Sequence, residues 1–202
     1  KELEKKLNIK INKPIIIFTL HPISINLNLA IKELKICLNS LKILSKKYQI
    51  IITYPNIDHG SKLFISNIDK LKNLKNIKII RSLGRYYYHG IMSLIKHNNI
   101  KVLCMGNSSS GIKETAVFKC PSIDLGDRQS GRLKSSNVFN LPFNEKKIIN
   151  KIYECFNDKK TINKIKSAKN FYGGGNTGEK ISKFIEKINY TRSKILIKKI
   201  TY

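Results

Sequence analysis

The sequence predicts an α/β fold, a doubly wound parallel sheet of the Rossmann-like type, and three observations carry that prediction. Short apolar, β-branched runs recur along the chain, and stretches of helical periodicity separate them. The polar clusters fall just after the apolar runs, where strands hand over to helices. Alternation of this kind builds a parallel sheet, because each parallel pair needs a crossover between its strands.

The first predicted strand is PIIIFTL (Pro14 to Leu20). QIIITYP (Gln49 to Pro55), IKIIRS (Ile77 to Ser82), KVLCMG (Lys101 to Gly106) and PSIDLG (Pro121 to Gly126) follow, each with the length of a buried strand. Between Leu27 and Lys47, residues Ile31, Leu34, Leu38, Leu41 and Leu44 recur at three- and four-residue steps, one apolar stripe with lysines between. Further helices are predicted over Lys62 to Leu74, Tyr86 to His97, Ser110 to Phe118, Glu145 to Phe156 and Gly178 to Asn189. The chain thus reads as a single domain over 1–202, with its core over about 14–190 and a tail over 191–202.

Composition bounds the class. With 202 residues, 41% of them hydrophobic, the chain can bury one good core. The formal net charge of +26 would attract any polyanion. Nearly all of that charge is lysine, with five arginines (Arg81, Arg85, Arg128, Arg132 and Arg192), and Ile and Asn are abundant beside it. This pattern reads as compositional drift over solvated faces. No RNP-type aromatic motif, zinc-finger spacing or basic heptad array accompanies it, so nucleic acid is an unfavoured partner.

Cys37, Cys104, Cys120 and Cys155 lie far apart in apolar stretches without a C-x-x-C pair, which predicts core thiols in a reducing compartment and neither metal nor redox cofactor. No apolar run approaches the roughly 18 residues a membrane span needs. The expected location is the cytoplasm. The chain opens at Lys1 inside a helical pattern marked by Leu3 and Leu7, which reads as a piece of a longer protein.

The polar loops all follow predicted strands: LHPIS with His21, YPNIDHGSK with Asn56, Asp58 and His59, GNSSSGIKE, and GDRQSGR. Ligands of such sheets bind beyond the carboxyl ends of the strands. Capping a helix needs one serine, whereas Ser108, Ser109 and Ser110 are consecutive, with Glu114 one turn later. Hydroxyls and free backbone N–H groups at a helix start suit a phosphate, and an acidic residue there suits the vicinal hydroxyls of a ribose. A nucleophile elbow is excluded by spacing, since Gly106 and Gly111 enclose four residues and not three.

These motifs, together with FYGGGNTGEKI, occur in the order and approximate spacing of the carboxyl-terminal domain of UDP-N-acetylglucosamine 2-epimerases, which the chain resembles from about Pro14 to Ile188. After the histidine of the first motif stand Pro22 and Ile23, where the non-hydrolysing branch has arginines, so the resemblance is to the hydrolysing branch that serves sialic-acid-type sugar synthesis. It implies the carboxyl-terminal half of a two-domain GT-B-type architecture. His21 then matches a catalytic-site position, Ser108, Ser109 and Glu114 match the UDP-binding loop, and Asn56 and Arg128 match further ligand-side positions. In the family a base removes the C2 proton as UDP departs from C1, and water adds to the resulting glycal. No metal or other cofactor is implied, and UDP is a fragment of the substrate and a product.

Two departures accompany the resemblance. Gly174 stands where the late glycine motif usually has aspartate. The family's acid and base carboxylates belong to an amino-terminal domain that these residues lack, while Asp58, Asp124 and Asp127 sit in turns where aspartate is structurally ordinary. The missing domain is therefore an expected partner, and a homo-oligomer stays open. The alternatives are a stand-alone nucleotide- or polyanion-binding module or a degenerate fragment without activity, and a GT-B glycosyltransferase domain, which shares the fold but not the NSSSG and RQ-GR pair. Which of Tyr86, Tyr87 and Tyr88 faces the base is undecided at this level.

Overall fold

Ile15–Thr19 form β1, whose first four residues are fully buried, and this strand lies inside the sheet because apolar side chains on both of its faces need cover. The computed structural model describes residues 1–23 and 26–188. Among them, β2 (Gln49–Thr53), β3 (Ile77–Ile80), β4 (Val102–Gly106), β5 (Ser122–Leu125) and β6 (Val138–Leu141) join β1 in one sheet, ordered β3-β2-β1-β4-β5-β6. Every pairing is parallel. Thr19 is in register with Thr53 on one side and Gly106 on the other, so the carboxyl ends of the three central strands are level. The strand order reverses direction between β1 and β4, and a crevice opens at that point in such sheets.

Eight α-helices are described: α1 (Glu2–Leu7), α2 (Leu27–Leu44), α3 (Ser61–Ile68), α4 (Gly84–His97), α5 (Ser110–Lys113), α6 (Glu145–Asn157), α7 (Lys159–Lys166) and α8 (Thr177–Lys187). Asn26 caps α2, its side chain accepting from the Leu29 N–H at 3.0 Å. The α2 stripe buries Leu34, Leu38, Leu41 and Leu44 as predicted, with Ala30 and Cys37 beside them, while Ile31 is only partly covered. Alternation along the strands divides the core in two. Ile16 and Phe18 pack with residues of α2, α3 and α6, whereas Ile15 and Ile17 pack with Ile91, Met92 and Leu94 of α4 and Leu7 of α1. All four cysteines are buried and free.

The doubly wound parallel sheet predicted from the sequence is the fold observed, with differences at its margins. The sixth strand, β6, was not predicted, because its short, half-buried VFNL run at the sheet edge carries little apolar signal. Helix α7 was missed as well, since KKTINKIK buries only Ile165. The helix predicted over Ser110 to Phe118 is one turn of α-helix followed by a 3-10 segment, Thr115–Phe118. Some lysines have fixed structural partners: Lys101 Nζ donates to the Phe156 carbonyl at 2.6 Å, Lys119 to the Ala168 carbonyl, and Lys134 pairs with the buried Asp124 at 2.9 Å.

The chain divides into two compact units, Lys1–Phe171 and Tyr172–Tyr202. The sheet and its helices make up the first. The described part of the second holds α8, an amphipathic helix with Ile181, Phe184 and Ile185 along one side and a Glu179 to Lys183 ion pair of 2.6 Å. The tail predicted over 191–202 lies outside the described residues. Among the described residues no helix is long and apolar enough to cross a membrane.

Candidate functional site

A cleft of about 630 Å³ opens where the carboxyl ends of β1 to β4 and the loop after β5 converge. His21 comes from the loop after β1, Asn56 from the loop after β2, Ser108 and Ser109 from the loop after β4, Glu114 from the end of α5, and Arg128 from the loop after β5. All six residues singled out in the sequence therefore line one cleft. Loops scattered over more than a hundred residues meet there because parallel strands send every strand-to-helix turn to the same edge.

The turn after β4 depends on Gly106, whose φ of +138° is a backbone conformation that side chains disfavour. A Cβ on it would lie 1.8 Å from the Thr19 carbonyl oxygen, so only glycine lets β4 close against β1 before the serine loop begins. Asn107 follows, 1% exposed, and its side chain clasps the His21 peptide from both sides. Asn107 Oδ1 accepts from the His21 N–H at 2.8 Å, and Asn107 Nδ2 donates to the His21 carbonyl at 2.9 Å. The Asn107 carbonyl in turn accepts from Arg128 Nη1 at 3.0 Å and from Gln129 Nε2 at 2.8 Å. One buried residue, through its side chain and its backbone carbonyl, thus ties together the loops that carry His21, the serines and Arg128.

His21 is nearly buried, and its Nδ1 accepts the Asn56 N–H at 3.1 Å. The ring proton is therefore assigned to Nε2. Burial holds its pKa below the usual 6.5, the Arg128 guanidinium adds to that effect, and Asp58 partly opposes it. At neutral pH His21 is an uncharged Nε2–H donor.

In the serine loop, Ser108 Oγ and Ser110 Oγ lie 3.0 Å apart, and the carbonyls of Ser108, Ser109 and Ser110 accept the turn's hydrogen bonds. The N–H groups of these three serines have no acceptor among the described residues. Because α5 is a single turn, a helix macrodipole contributes little. Attraction of an anion rests on those N–H groups and on guanidiniums.

Arginines and a histidine that the sequence reading gave no site role, and one of the three tyrosines it left undecided, complete the walls. Arg81 and Arg85, at the end of β3 and the start of α4, line the cleft with Arg128. His89 on α4 stands 2.5 Å from Glu114 through its Nε2 and the Glu114 Oε2. Tyr88 is the member of the tyrosine triplet that lines the cleft, with its hydroxyl donating to Cys104 Sγ at 3.3 Å, while Tyr86 is 70% exposed and stacks edge-on with Tyr87. Burial, and after it the Cys104 thiol, push the Tyr88 phenol up, so it stays protonated.

The rarity of arginine in a lysine-rich chain is the signal that singles these residues out, though not where they meet. Three of the chain's five arginines line the cleft, and no lysine does among its described residues, although lysine supplies most of the charge. A roomier groove of about 1080 Å³ runs beside α1 and α4 over Leu3, Ile11, Leu94 and Phe118, but it holds none of the converging polar loops. Chemistry and not volume distinguishes the cleft.

The model of the UDP-N-acetylglucosamine 2-epimerase family matches residues 1–186. Among curated proteins, the GDP/UDP-N,N'-diacetylbacillosamine 2-epimerase (hydrolyzing) of Campylobacter jejuni is 35% identical over 147 residues, which are 72% of this chain and 36% of that protein. The UDP-N,N'-diacetylbacillosamine 2-epimerase (hydrolyzing) of Legionella pneumophila is 30% identical over 145 residues, with the same shares. The chain therefore spans about a third of the length of the curated relatives it matches. Among solved structures, the S. aureus MnaA-UDP co-structure superposes with a TM-score of 0.68 at 17% identity, over 92% of this chain and 47% of that one. The Methanocaldococcus jannaschii UDP-GlcNAc 2-epimerase in complex with UDP-GlcNAc and UDP gives 0.66 at 22% identity, over 92% and 48%. These likenesses establish the fold as Rossmann-like, and the chain matches about half the length of each of those structures. With the family model matched over nearly its whole described length, the chain belongs to the UDP-N-acetylglucosamine 2-epimerase family, and hydrolysing enzymes are among its relatives.

Proposed function

We propose that this chain is the UDP-binding, carboxyl-terminal half of a hydrolysing UDP-sugar 2-epimerase. The complete protein would convert UDP-N-acetylglucosamine, or a related 2-acetamido sugar nucleotide, and water into UDP and the free 2-epimer. The observation that carries the reading is the make-up of the cleft: three arginines, two histidines, three serines with free N–H groups and a single carboxylate, Glu114. That set suits a diphosphate joined to a diol. The names of the two hydrolysing relatives point to N,N'-diacetylbacillosamine nucleotides as one form of the 2-acetamido sugar. We assign the cytoplasm as its compartment on the strength of four free, buried thiols.

In this reading the serine N–H groups and Arg128 hold the diphosphate, and Glu114 accepts from the ribose hydroxyls. Asn56 fixes the His21 ring through its N–H. His21 Nε2–H then donates to the diphosphate oxygen as the C1–O bond breaks. A base supplied by the rest of the protein takes the C2 proton, the C–H electrons form the C1–C2 double bond, and UDP leaves. Water returns OH to C1 and a proton to the opposite face of C2.

Calorimetry tests the nucleotide half of the reading. The chain should bind UDP, and Glu114→Ala should weaken binding by about 1–3 kcal/mol, the ordinary cost of stranding a polar partner. UDP affinity unchanged in both Glu114→Ala and Arg128→Ala would move the nucleotide out of this cleft.

A further inference from the structure

His89 belongs to none of the motifs that carry the family resemblance, yet it makes a close polar contact in the cleft, 2.5 Å from Nε2 to Glu114 Oε2. Its ring is held between aromatic neighbours, with centroids 5.2 Å from Phe118 and 6.2 Å from Tyr88. Both members of the pair are partly covered, at 28% and 37% side-chain exposure. Glu114 itself sits at a break in the chain, past the single turn of α5 and before the 3-10 segment, with φ −111° and ψ −31°. No helical neighbour one turn either side supplies it with an ion pair; its described partner is His89. A free glutamate has three rotatable bonds to order on binding, and a pre-held one does not.

We propose that His89 is a positioning residue that sets which oxygen of Glu114 faces the nucleotide and thereby lets the cleft distinguish ribose from 2′-deoxyribose. The inference rests on the UDP reading of the cleft and deepens it. An imidazole with its proton on Nε2 donates to Oε2, which leaves Oε1 to accept from the sugar. Anchoring one oxygen fixes the plane of the carboxylate. A vicinal diol meets a pre-aimed acceptor, whereas a 2′-deoxy sugar lacks one of the hydroxyls that such an acceptor rewards. Without the His89 donor, Glu114 turns toward solvent and both sugars meet the same loosely held side chain.

The experiment compares UDP with 2′-deoxy-UDP by calorimetry on the 202-residue chain and two variants. His89→Phe keeps a ring between Tyr88 and Phe118 but has no donor, and His89→Gln keeps an N–H close to the Nε2 position. The expected result is a UDP preference of about tenfold in the parent chain, the scale of a hydrogen bond to a charged group. That preference should fall to about twofold or less in His89→Phe and return in His89→Gln. Thermal unfolding checks that each variant folds, and His89→Leu carries the donorless arm should the Phe variant not fold. Three results overturn the inference: the preference survives in the donorless variant, both variants lose it alike, or both nucleotides weaken in parallel with their ratio kept. Failure of the underlying reading has a different signature, since the parent chain would then bind neither nucleotide or bind both equally.

Discussion

His21 carries a cost that pH reveals. Burial and Arg128 hold its folded pKa below 6.5, so between that lower value and 6.5 the unfolded chain binds a proton that the folded chain resists. Stability should therefore fall as pH drops through 6.5 toward the folded value and level off below it. Above 6.5 the imidazole is neutral in both states and contributes no slope. His21→Asn keeps an acceptor for the Asn56 N–H but removes the titration, so we predict that it flattens this part of the acid limb. Urea midpoints between about pH 7.5 and pH 5 measure it, and an acid limb equally steep in the variant would sink the assignment. Asn107 is the residue-scale counterpart, because its side chain clasps the His21 peptide while its backbone carbonyl holds Arg128, so one buried residue sets both groups.

The hinge between β4 and the serine loop is where an element constrains the site most. Gly106 has a positive φ and no room for a Cβ, the nearest obstacle being the backbone carbonyl of Thr19, which cannot swing aside as a side chain would. We predict that Gly106→Ala destabilises the chain by about 4 kcal/mol or more, at the far end of single-substitution effects. Chemical denaturation gives the number, and a loss below about 1 kcal/mol would show that β1 and β4 part easily there. Element edges also mark the limits of sequence reading. The buried strands β1, β2, β4 and β5 announce themselves through apolar runs, whereas β6 is a half-buried edge strand and α7 buries one isoleucine, so neither leaves a readable period.

Catalysis belongs to the scale of the whole molecule. Among the described residues the cleft has one carboxylate, Glu114, and His89 already engages it. Asp124 is buried against Lys134 and is no candidate for a base. We predict that the 202-residue chain releases no UDP from UDP-N-acetylglucosamine, while the protein at the full length of its relatives does so. Base and leaving-group stabiliser must meet on one sugar, and the effective molarity of that meeting vanishes when either is absent. UDP release by the chain alone, above a His21→Ala control, would show that the base lies within these residues.

By itself the sequence determined the class of fold, the positions of the buried strands and the α2 stripe, and the polar loops on one rim. It could do so because burial on both faces demands long apolar runs and because parallel crossovers force each loop to the same edge. Arg128, His21 and the serines were legible for the same reason. Only the tertiary structure decided what those loops do to one another. Asn107 reads as one polar residue among several, and its role emerges when β1 and β4 become neighbours across 86 residues of chain. His89 sits on a helix of ordinary composition, 25 residues from Glu114, and nothing local announces their contact. Which tyrosine enters the cleft follows from the rotation of α4 against the sheet, and the concentration of arginine there follows from packing. Local pattern records the period of each element, while a site is made of distances between elements, and those exist only once the sheet has closed.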